Sequence, residues 1–377
     1  MTIRATKAIR GDSSESAVPD SMPDPAAAAI RRPELVWLSE VLGQTITAME
    51  SLEIGASRGF LSTTWRVQLQ TDPASALPSS LVLKSESSQP LFQAIARKRN
   101  AFAREIAFYQ TIAPAIKAPV PRIYAMGNAD DCWLLMEDLI DHRAGDQVRG
   151  LSQDEVRAVV RAMASIHAQF WLSSELTNYS WLPANLYWFS EVEHSLLTPF
   201  LHDYSRRIGE RVSTVMAECL AQLAEIDAAI ACRPFTLVHG DLRADNLMFI
   251  GEDHNPRPTI LDWQSASCSL GALDLAYLLG GSEPLAERSG HLEELLYLWH
   301  GDLQANGVAD YSLSEARRDL QLGALRCLAV ALRLYATLYD PDTTVRGALF
   351  RDEAILRHCA VVDELRAWEA LPQPIAA

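Results

Sequence analysis

Residues 237–249 read LVHGDLRADNLMF and combine two apolar runs with a short polar loop between them. Asp241 and Asn246 stand five residues apart in that loop, and a third apolar run ends at Asp262, sixteen residues past Asn246. Burying such polar groups at the ends of apolar strands costs free energy unless the groups bind a partner. Phosphoryl transfer needs one carboxylate that accepts a hydroxyl proton, and an amide oxygen and a second carboxylate that hold Mg²⁺ against phosphates. The spacing of these three residues therefore predicts phosphoryl-transfer chemistry.

Each of these side chains also has an ordinary structural explanation. Asp241 alone would be a turn or capping residue, and Asp262 alone would simply end a strand. In the same loop, Asp245 fits a solvated or hydrogen-bonding residue better than a metal ligand, and His239 fits a residue that holds the loop backbone. Because Asp241, Asn246 and Asp262 occur together in this register, the chemical interpretation is favoured for those three.

Two regions of different character must position these residues. Before residue 140, a helix is predicted from about residue 33, then strand-like runs over 63–69, 80–84, 122–126 and 133–137, with one helix over about 92–112. After it, amphipathic helices are predicted over 152–173, 196–230, 284–304, 314–338 and 343–368, around a short β-like segment at 235–262. The pattern predicts an α+β fold, with an N-lobe over 31–139 and a helical C-lobe over 140–377. The N-lobe would hold an antiparallel sheet of about five strands and one helix, preceded by a disordered tail over 1–30.

The composition excludes several classes of protein. The formal charge is −15, and most of the acidic surplus falls after residue 140, which disfavours nucleic acid or an anionic membrane as a partner. Solubility explains this surplus, with a neutral or cationic substrate as the alternative. The six cysteines form no CxxC pair, and no apolar run approaches the length of a membrane span. Residues 1–29 contain no apolar segment of the kind that a secretion signal has. These features predict a cytoplasmic protein with free thiols.

The order of short motifs along the chain resembles that of a known group of kinases. The motifs are SLVLK at 80–84, EIAFY at 105–109, LLMEDL at 134–139, IHAQFW at 166–171, HGDLRADN at 239–246, DWQ at 262–264 and DLA at 274–276. Together they resemble the aminoglycoside phosphotransferase and choline kinase group, and within it the ecdysteroid kinase-like small-molecule kinases of bacterial type. The resemblance covers roughly residues 50–340. It implies a protein-kinase-like two-lobed fold, ATP and Mg²⁺ as cofactors, and a small-molecule alcohol that accepts the γ-phosphoryl group.

Carried over residue by residue, the resemblance assigns a role to each polar residue of the motifs. Asp241 would be the catalytic base that positions and deprotonates the acceptor hydroxyl, and Asn246 and Asp262 would ligate Mg²⁺. Lys84, one of only four lysines in the chain, would hold the α- and β-phosphates, paired with Glu105 on the following helix. The structural alternatives are a lysine that extends its amine to solvent at a strand end, and a glutamate on a solvated helix face.

The stretch GASRGF at 55–60 lies between the first two strands and provides a candidate phosphate loop. The backbone amides of Gly55, Ser57 and Gly59 would cradle the phosphates, because glycines let the chain approach closely. The stretch departs from the GxGxxG of protein kinases, so an ordinary glycine-containing hairpin remains an alternative.

The motif LLMEDL lies at the predicted boundary between the lobes. The resemblance implies that adenine bonds to the backbone carbonyl of Glu137 and to the backbone amide of Leu139, with Met136 behind the ring. The side chains of Glu137 and Asp138 need not touch the nucleotide. The alternative is an ordinary polar linker.

Other unusual residues have two interpretations each. His167 is predicted to be structural, and the resemblance places it under the catalytic loop. Asp274 is predicted to begin a helix, and the resemblance implies that it braces that loop. Five aromatic residues fall within 179–189, where they would form core or line a ring-shaped acceptor. Trp263 has the same two interpretations.

Two other functions are compatible with the motifs. The chain could be an antibiotic O-phosphotransferase for an aminoglycoside or a macrolide, which the acidic C-lobe permits. It could also be a nucleotide-binding pseudokinase or interaction protein, which is disfavoured because Lys84, Asp241, Asn246 and Asp262 are all present. A protein kinase fits less well, because Asp274 follows Asp262 too soon for an activation loop. Neither the acceptor alcohol nor the oligomeric state is indicated by the sequence.

Overall fold

The computed structural model describes residues 32–55, 61–128, 130–185, 194–287, 290–337 and 345–372. The predicted disordered tail at 1–30, the predicted phosphate-loop residues Ser57 and Gly59, and residues 186–189 of the aromatic stretch lie outside the described residues. In the described part, a β-rich region is followed by a larger helical region, as the sequence predicts.

The β-rich region is built on a five-stranded antiparallel sheet, which confirms the predicted sheet. Its strands are β1 (Ile46–Ile54), β2 (Ser62–Thr71), β3 (Ser80–Glu86), β4 (Ile123–Met126) and β5 (Trp133–Glu137), in the order β1-β2-β3-β5-β4. Burial alternates along β2, so Trp65, Val67 and Leu69 enter a core that also holds Leu38 of helix α1 (Leu35–Leu42). The central strand of this sheet is β3, and it carries Lys84.

Two helices occupy the segment where the sequence predicts one. Helix α2 (Pro90–Lys98) begins with a proline in its first turn, where no backbone N–H is needed. Helix α3 (Ala101–Thr111) follows after Asn100, which has a φ of 50°. Asparagine tolerates this left-handed conformation better than most residues, and the conformation ends the first helix. Hydrophobic periodicity continues across the break, which is why it predicts a single helix over 92–112.

The larger region is mostly helical and shares one extensive apolar core. Its helices are α4 (Gln153–Gln169), α5 (Leu197–Ala221), α6 (Leu223–Ala231), α7 (Ala272–Ser282), α8 (His291–Ala305), α9 (Leu313–Thr337) and α10 (Val345–Glu364). A capping box starts α4, in which Ser152 and Glu155 each satisfy the other's backbone N–H. The predicted helix at 196–230 divides into α5 and α6 at Gln222.

Five short strands interrupt the helices. They are β6 (Arg143–Ala144), β7 (Thr236–Val238), β8 (Leu247–Ile250), β9 (Arg257–Ile260) and β10 (Ser267–Ser269). Three of them, β7 to β9, form the β-like segment predicted at 235–262, whereas β6 and β10 lie outside it. Strands β6, β8 and β9 form one antiparallel sheet, and β7 pairs with β10. The loops that leave β7 and β9 carry the polar residues on which the predicted chemistry depends. The division into lobes at residues 139 and 140 remains a prediction.

Candidate active site

Strand pairing brings Asn246 next to Asp262. Strands β8 and β9 pair with Leu247 opposite Ile260. The backbone N–H of Leu261 then donates to the carbonyl of Asn246 at 2.9 Å. The two candidate metal ligands therefore lie at the same end of this strand pair, Asn246 just before β8 and Asp262 just after β9, although Asp262 comes sixteen residues after Asn246 in the chain.

The Asp241 carboxylate is held by two neighbours in its own loop. Nδ2 of Asn246 donates to Oδ2 of Asp241 at 3.0 Å and to its backbone carbonyl at 2.9 Å. Nε of Arg243 donates to the same Oδ2 at 3.3 Å. Because the amide nitrogen of Asn246 faces Asp241, its side-chain oxygen is the atom left for another ligand.

The carboxylate of Asp274 holds the backbone of this loop. Asp274 lies in the first turn of α7 and accepts from the backbone N–H of His239 at 2.7 Å and of Gly240 at 2.9 Å. His167 of α4 approaches the same carboxylate through Nε2 at 3.3 Å, and its Nδ1 accepts from the indole N–H of Trp299 at 3.0 Å. Since Nδ1 accepts, a neutral His167 carries its proton on Nε2 and donates it to Asp274. These contacts fit the bracing roles that the sequence predicts for both residues.

His239 connects two backbone segments of the site. Its Nδ1 accepts from the backbone N–H of Asp241 at 3.2 Å, and its Nε2 donates to the carbonyl of Leu261 at 2.8 Å. Gly240 has a φ of 79°, and a Cβ atom there would lie 2.5 Å from the carbonyl oxygen of Ser265. Only glycine meets both conditions, so the close approach of the two loops depends on it.

Lys84 joins the sheet to the helical region through two carboxylates. Its Nζ lies 2.8 Å from Oε2 of Glu105 on α3 and 2.9 Å from Oδ1 of Asp262. Glu105 is 1% exposed and also accepts from Nε2 of Gln264 at 3.1 Å. The side chain of Asp262 is 32% exposed, so this carboxylate faces the space between the two regions.

The charge of Lys84 affects the two carboxylates differently. Burial alone would lower the pKa of Lys84, but Asp262 and Glu105 outweigh burial, and the pKa is raised. Burial would raise the pKa of Asp262, but Lys84 outweighs it and lowers that pKa. In Glu105, which lies deeper, burial outweighs Lys84 and raises the pKa. The ammonium of Lys84 and the carboxylate of Asp262 therefore stabilise each other's charged form.

Helix α3 also contacts the segment that follows Asp262. The ring of Phe108 stacks on Trp263 with centroids 4.1 Å apart and planes 8° apart. Arg104 donates to the carbonyl of Gln264 at 2.6 Å. Asp262 itself has a φ of 63°, a strained conformation for an aspartate that these neighbours hold in place.

The predicted adenine-binding segment directs its acidic side chains toward the sheet. Oε1 of Glu137 accepts from the backbone N–H of Arg122 at 2.9 Å. Asp138 forms a two-point ion pair with Arg66, at 2.7 and 3.0 Å, and accepts from Ser80 at 2.6 Å. The side chains are thus committed to structure, which fits the expectation that only the backbone of this segment binds adenine. Met136 and Leu139 lie in the same segment.

Of the predicted phosphate loop, Gly55 is described: it follows directly after β1 and has a φ of 71°.

A cavity of about 360 Å³ opens beside Asp241 and Asp262 and extends into the helical region. Its inner wall is mostly apolar and comes from three helices, with Leu273 on α7, Val330 and Leu334 on α9, and Phe350 and Ala354 on α10. Such a pocket, with a few polar groups at one end, is the usual form of a small-molecule site.

Sequence reasoning missed three polar residues that line this cavity near Asp241, namely Gln147, Arg243 and Tyr277. Tyr277 lies one helical turn after Asp274, and this spacing could have indicated that both side chains face the same loop. Gln147 lies nearly a hundred residues before the loop, and no spacing in the sequence connects the two.

The aromatic residues of uncertain role belong to the core wherever they are described. Trp263 is fully buried between Phe108 and His239. Tyr179 and Trp181 contact each other, with centroids 5.8 Å apart, and pack against the main core. The described part of this stretch, 179–185, contributes no residue to the cavity lining.

The sheet, the helical region and the polar loops between them define a protein-kinase-like phosphotransferase fold, as the sequence predicts. The chain belongs to the ecdysteroid kinase-like family, whose model matches residues 56–308. This membership confirms the predicted enzyme class, a kinase that acts on an alcohol. A sequence search of curated proteins gave no significant match.

Several solved structures are similar to this chain. A microcompartment-associated aminopropanol kinase shares 14% identity at a TM-score of 0.52, with 90% of this chain and 99% of that chain covered. A spectinomycin phosphotransferase, solved with ADP and spectinomycin, shares 13% identity at a TM-score of 0.50, with 89% and 100% covered. An ethanolamine kinase from Plasmodium vivax shares 13% identity at a TM-score of 0.50, with 84% and 82% covered. At these identities, the similarity establishes the fold alone.

Two further predictions can be compared with the described residues. None of the described helices has the length and apolar character needed to cross a membrane. No two of the six cysteines, all of which lie in the described residues, are joined by a disulfide.

Proposed function

We propose that this protein transfers the γ-phosphoryl group of ATP to the hydroxyl group of a small-molecule alcohol. The observation that carries the proposal is the position of Lys84, whose Nζ lies 2.8 Å from Glu105 and 2.9 Å from Asp262. A lysine held in this way presents a fixed positive charge to nucleotide phosphates. Asp241 lies across the site, beside the cavity, where it would accept the proton of the attacking hydroxyl.

The residues present fit a magnesium ion. Asn246 offers its side-chain oxygen, and the partly exposed Asp262 offers a carboxylate oxygen. Among the described residues, no group of three His, Cys, Asp or Glu is placed to bind a metal on its own. This suits Mg²⁺, which proteins hold through one or two oxygen ligands while substrate phosphates and water complete its shell. When bound, the ion would neutralise charge on the phosphates during transfer.

The nucleotide would lie between the sheet and the helical region. The predicted contacts are the backbone of Glu137 and Leu139 for adenine, Met136 behind the ring, and the phosphate loop that begins at Gly55. The spectinomycin phosphotransferase of similar fold was solved with ADP, which supports nucleotide binding here. ATP is the proposed donor.

The cavity lining favours an acceptor without several positive charges. Among the described residues that line it, the acidic ones are Asp241, Asp262 and Asp274. Each of them is assigned to the reaction or to the loop backbone. The described lining therefore holds no further acidic side chain for an aminoglycoside, and its mostly apolar wall suits an alcohol with a largely apolar body. A pseudokinase is not favoured, because all four proposed reactive residues are in place.

The direct test is mass spectrometry of the purified protein with Mg²⁺-ATP and a panel of alcohols. The panel contains an ecdysteroid, glucose, choline, ethanolamine, kanamycin and spectinomycin. We expect one class of alcohol to gain the mass of a phosphoryl group, and we expect Asp241→Asn and Asp262→Ala each to remove that gain. Proton transfer alone contributes about 10²–10⁴ in rate, so the loss will be large.

The matched control is Asp253→Asn, at a side chain that is 99% exposed. This variant should retain the wild-type rate, and all variants should melt within a few degrees of the wild type. Near-wild-type turnover by Asp241→Asn or Asp262→Ala would refute the assignment. Turnover of kanamycin alone would favour the antibiotic phosphotransferase instead.

A further inference from the structure

Gln147 is fixed beside the loop that carries Asp241 by its backbone and by its side chain. Its backbone N–H donates to Oδ1 of Asp245 at 3.0 Å, and its carbonyl accepts from Nη1 of Arg357 at 2.6 Å. Its side-chain Nε2 donates to the carbonyl of Gly281, near the end of α7. Since the nitrogen of the amide faces this carbonyl, the remaining atom is the oxygen, Oε1, and it accepts no hydrogen bond from any described residue.

Burial makes the unpaired oxygen of Gln147 unusual. The residue is 2% exposed and lines the cavity beside Asp241. A buried amide oxygen without a hydrogen bond costs free energy, and the large majority of such atoms in proteins are paired. A hydrogen-bond donor on a molecule that binds in the cavity would satisfy it.

The guanidinium group of Arg243 provides a donor in the same part of the cavity. Its Nε donates to Oδ2 of Asp241 at 3.3 Å, and its Nη1 donates to Oδ2 of Asp245 at 3.2 Å. The third nitrogen, Nη2, has no hydrogen-bond partner among the described residues. Arg243 lines the cavity, and its Cζ lies 5.8 Å from the ring centroid of Phe350 on the cavity wall.

Contacts on two sides place the side chains of Gln147 and Arg243 next to each other. A Cβ atom at Gly281 would lie 3.0 Å from Nε2 of Gln147 and 3.8 Å from Cβ of Arg243. On the other side, the carboxylate of Asp245 binds the backbone of Gln147 through Oδ1 and the guanidinium of Arg243 through Oδ2. One unpaired acceptor and one unpaired donor thus belong to neighbouring residues of the cavity lining.

Few polar groups suit an acceptor and a donor that lie together. A phosphate or carboxylate oxygen can bind Nη2 of Arg243, but it brings no proton for Oε1 of Gln147. An ammonium group can donate to Oε1, but it has no lone pair for Nη2, and the guanidinium charge repels it. A hydroxyl group does both with one oxygen, because it donates its proton and accepts on its lone pairs.

We infer that Gln147 and Arg243 bind a second hydroxyl group of the acceptor, so that the substrate is a diol with a largely apolar body. The inference rests on the proposed function. Because Nη2 belongs to the same rigid guanidinium whose Nε holds Asp241, the second hydroxyl lies close to the hydroxyl that is phosphorylated. A vicinal diol has this arrangement, and an amino alcohol does not suit the site.

The first test compares alcohols that share one apolar ring, using the wild-type protein and Mg²⁺-ATP. The probes are cyclohexanol, cis- and trans-1,2-cyclohexanediol and trans-2-aminocyclohexanol. We expect kcat/KM for the better diol to exceed the values for cyclohexanol and for the amino alcohol at least about tenfold. Equal values for diol and cyclohexanol would overturn the inference, and so would a preference for the amino alcohol.

The outcome of the wider alcohol panel separates this inference from the proposed function. If the protein phosphorylates only a larger alcohol, that alcohol and its analogue without the neighbouring hydroxyl replace the cyclohexane pair, with the same expected ratio. A preferred alcohol that has no second hydroxyl would refute this inference alone. A wild-type protein that phosphorylates no alcohol at all would refute the proposed function and this inference with it.

The second test assigns the preference to Gln147. Gln147→Met keeps the length of the side chain and removes its amide, so the ratio of kcat/KM for the diol to that for cyclohexanol should fall at least about fivefold. Gln147→Glu loses the bond to Gly281 but keeps an acceptor oxygen, and it should retain more of the ratio. The control, Gln304→Met at an exposed glutamine of α8, should retain all of it.

A purely structural role for Gln147 predicts a different result. Both rates would then fall together in Gln147→Met and leave the ratio unchanged, which would overturn the inference. A ratio lost as completely in Gln147→Glu as in Gln147→Met would assign the effect to the contact with Gly281 and overturn it as well. If Gln147→Met does not fold, the wild-type comparison of diol and cyclohexanol decides the inference.

Discussion

The two sides of the candidate active site are built in different ways. On the proposed nucleotide side, Lys84, Glu105 and Asp262 form a chain of ion pairs between the central strand of the sheet and the helical region. On the proposed acceptor side, the wall consists mainly of apolar side chains from α7, α9 and α10, such as Leu273 and Val330. Ion pairs fix the positions of the side chains on the first side, whereas apolar packing fixes them on the second.

Because of this difference, the residues proposed to carry out the reaction are not the residues proposed to select the acceptor. The charged side must place phosphates and a metal within a few tenths of an ångström, and few residue types can do this. An apolar wall needs only shape and volume, which many combinations of side chains provide. Helices α9 and α10 also begin after residue 308, where the match to the family ends. Two of the three helices that provide the cavity wall therefore lie beyond the residues that match the family, whereas α7 lies within them.

The largest effect should come from breaking the charged side at its centre. Lys84→Met should reduce kcat/KM for ATP by more than about a hundredfold, because a fixed positive charge on the phosphates is lost. It should also lower the free energy of unfolding by about 3 kcal/mol, because the buried Glu105 loses the cation that stabilises its charged form. Nucleotide titration and thermal unfolding measure the two effects.

The double variant Lys84→Met/Glu105→Gln separates these two consequences. Glutamine removes the buried charge, and its side-chain oxygen can still accept from Gln264, so we expect most of the stability to return while turnover stays lost. Lys117→Met, at an exposed lysine, should change neither quantity. If the double variant recovers activity together with stability, Lys84 is a structural residue and the charged side is misassigned.

A smaller and more selective effect is expected on the apolar side. Leu334→Ala removes part of the wall that α9 provides, and it should raise KM for the acceptor about tenfold with KM for ATP unchanged. The control, Leu349→Ala on α10, changes a leucine that is 50% exposed and should leave both values as they are. A rise in KM for ATP instead would mean that the two sides are not independent.

The residues that form the charged side could be predicted from the sequence because each stands at the end of a strand or on the helix after one. Asn246 stands just before one apolar run and Asp262 just after another, and the antiparallel pairing of those runs as β8 and β9 brings the two residues together. Lys84 was conspicuous as a rare lysine after an apolar run. Local sequence determines strand ends, so polar residues at these points are visible before the fold is known.

The residues that form the acceptor side could not be predicted in this way. Val330 and Leu334 continue the apolar pattern of α9, and in the sequence nothing distinguishes a cavity wall from the core. Gln147 reaches the cavity only because the loop after β6 packs against the end of α7 near Gly281. Tertiary contacts such as that of Gln147 have no counterpart in residue spacing. The break at Asn100 was missed for a different reason, because a single left-handed residue does not alter hydrophobic periodicity.

The smallest expected effect concerns how α10, part of the apolar wall, is attached to α5. Asp352 of α10 accepts from the hydroxyl of Tyr204 and pairs with Arg207 at 3.1 Å. Burial would raise the pKa of Asp352, but these partners outweigh burial and lower it. A carboxyl group whose pKa is lower in the folded state stabilises that state above its unfolded pKa, and the stabilisation is lost as the pH falls through the folded value.

Asp352→Asn should therefore lower the free energy of unfolding at pH 7 by no more than about 1 kcal/mol, because the side chain is partly exposed and solvent screens the pair. Below the folded pKa of Asp352, the variant and the wild type should be equally stable. Thermal unfolding from pH 7 to pH 3 tests this, with Asp253→Asn as the control that changes nothing at either pH. A stability difference that does not shrink at all between pH 7 and pH 3 would show that Asp352 holds α10 through packing alone. The attachment of the acceptor wall would then depend on no charge at all, and the contrast between the two sides of the site would be sharper.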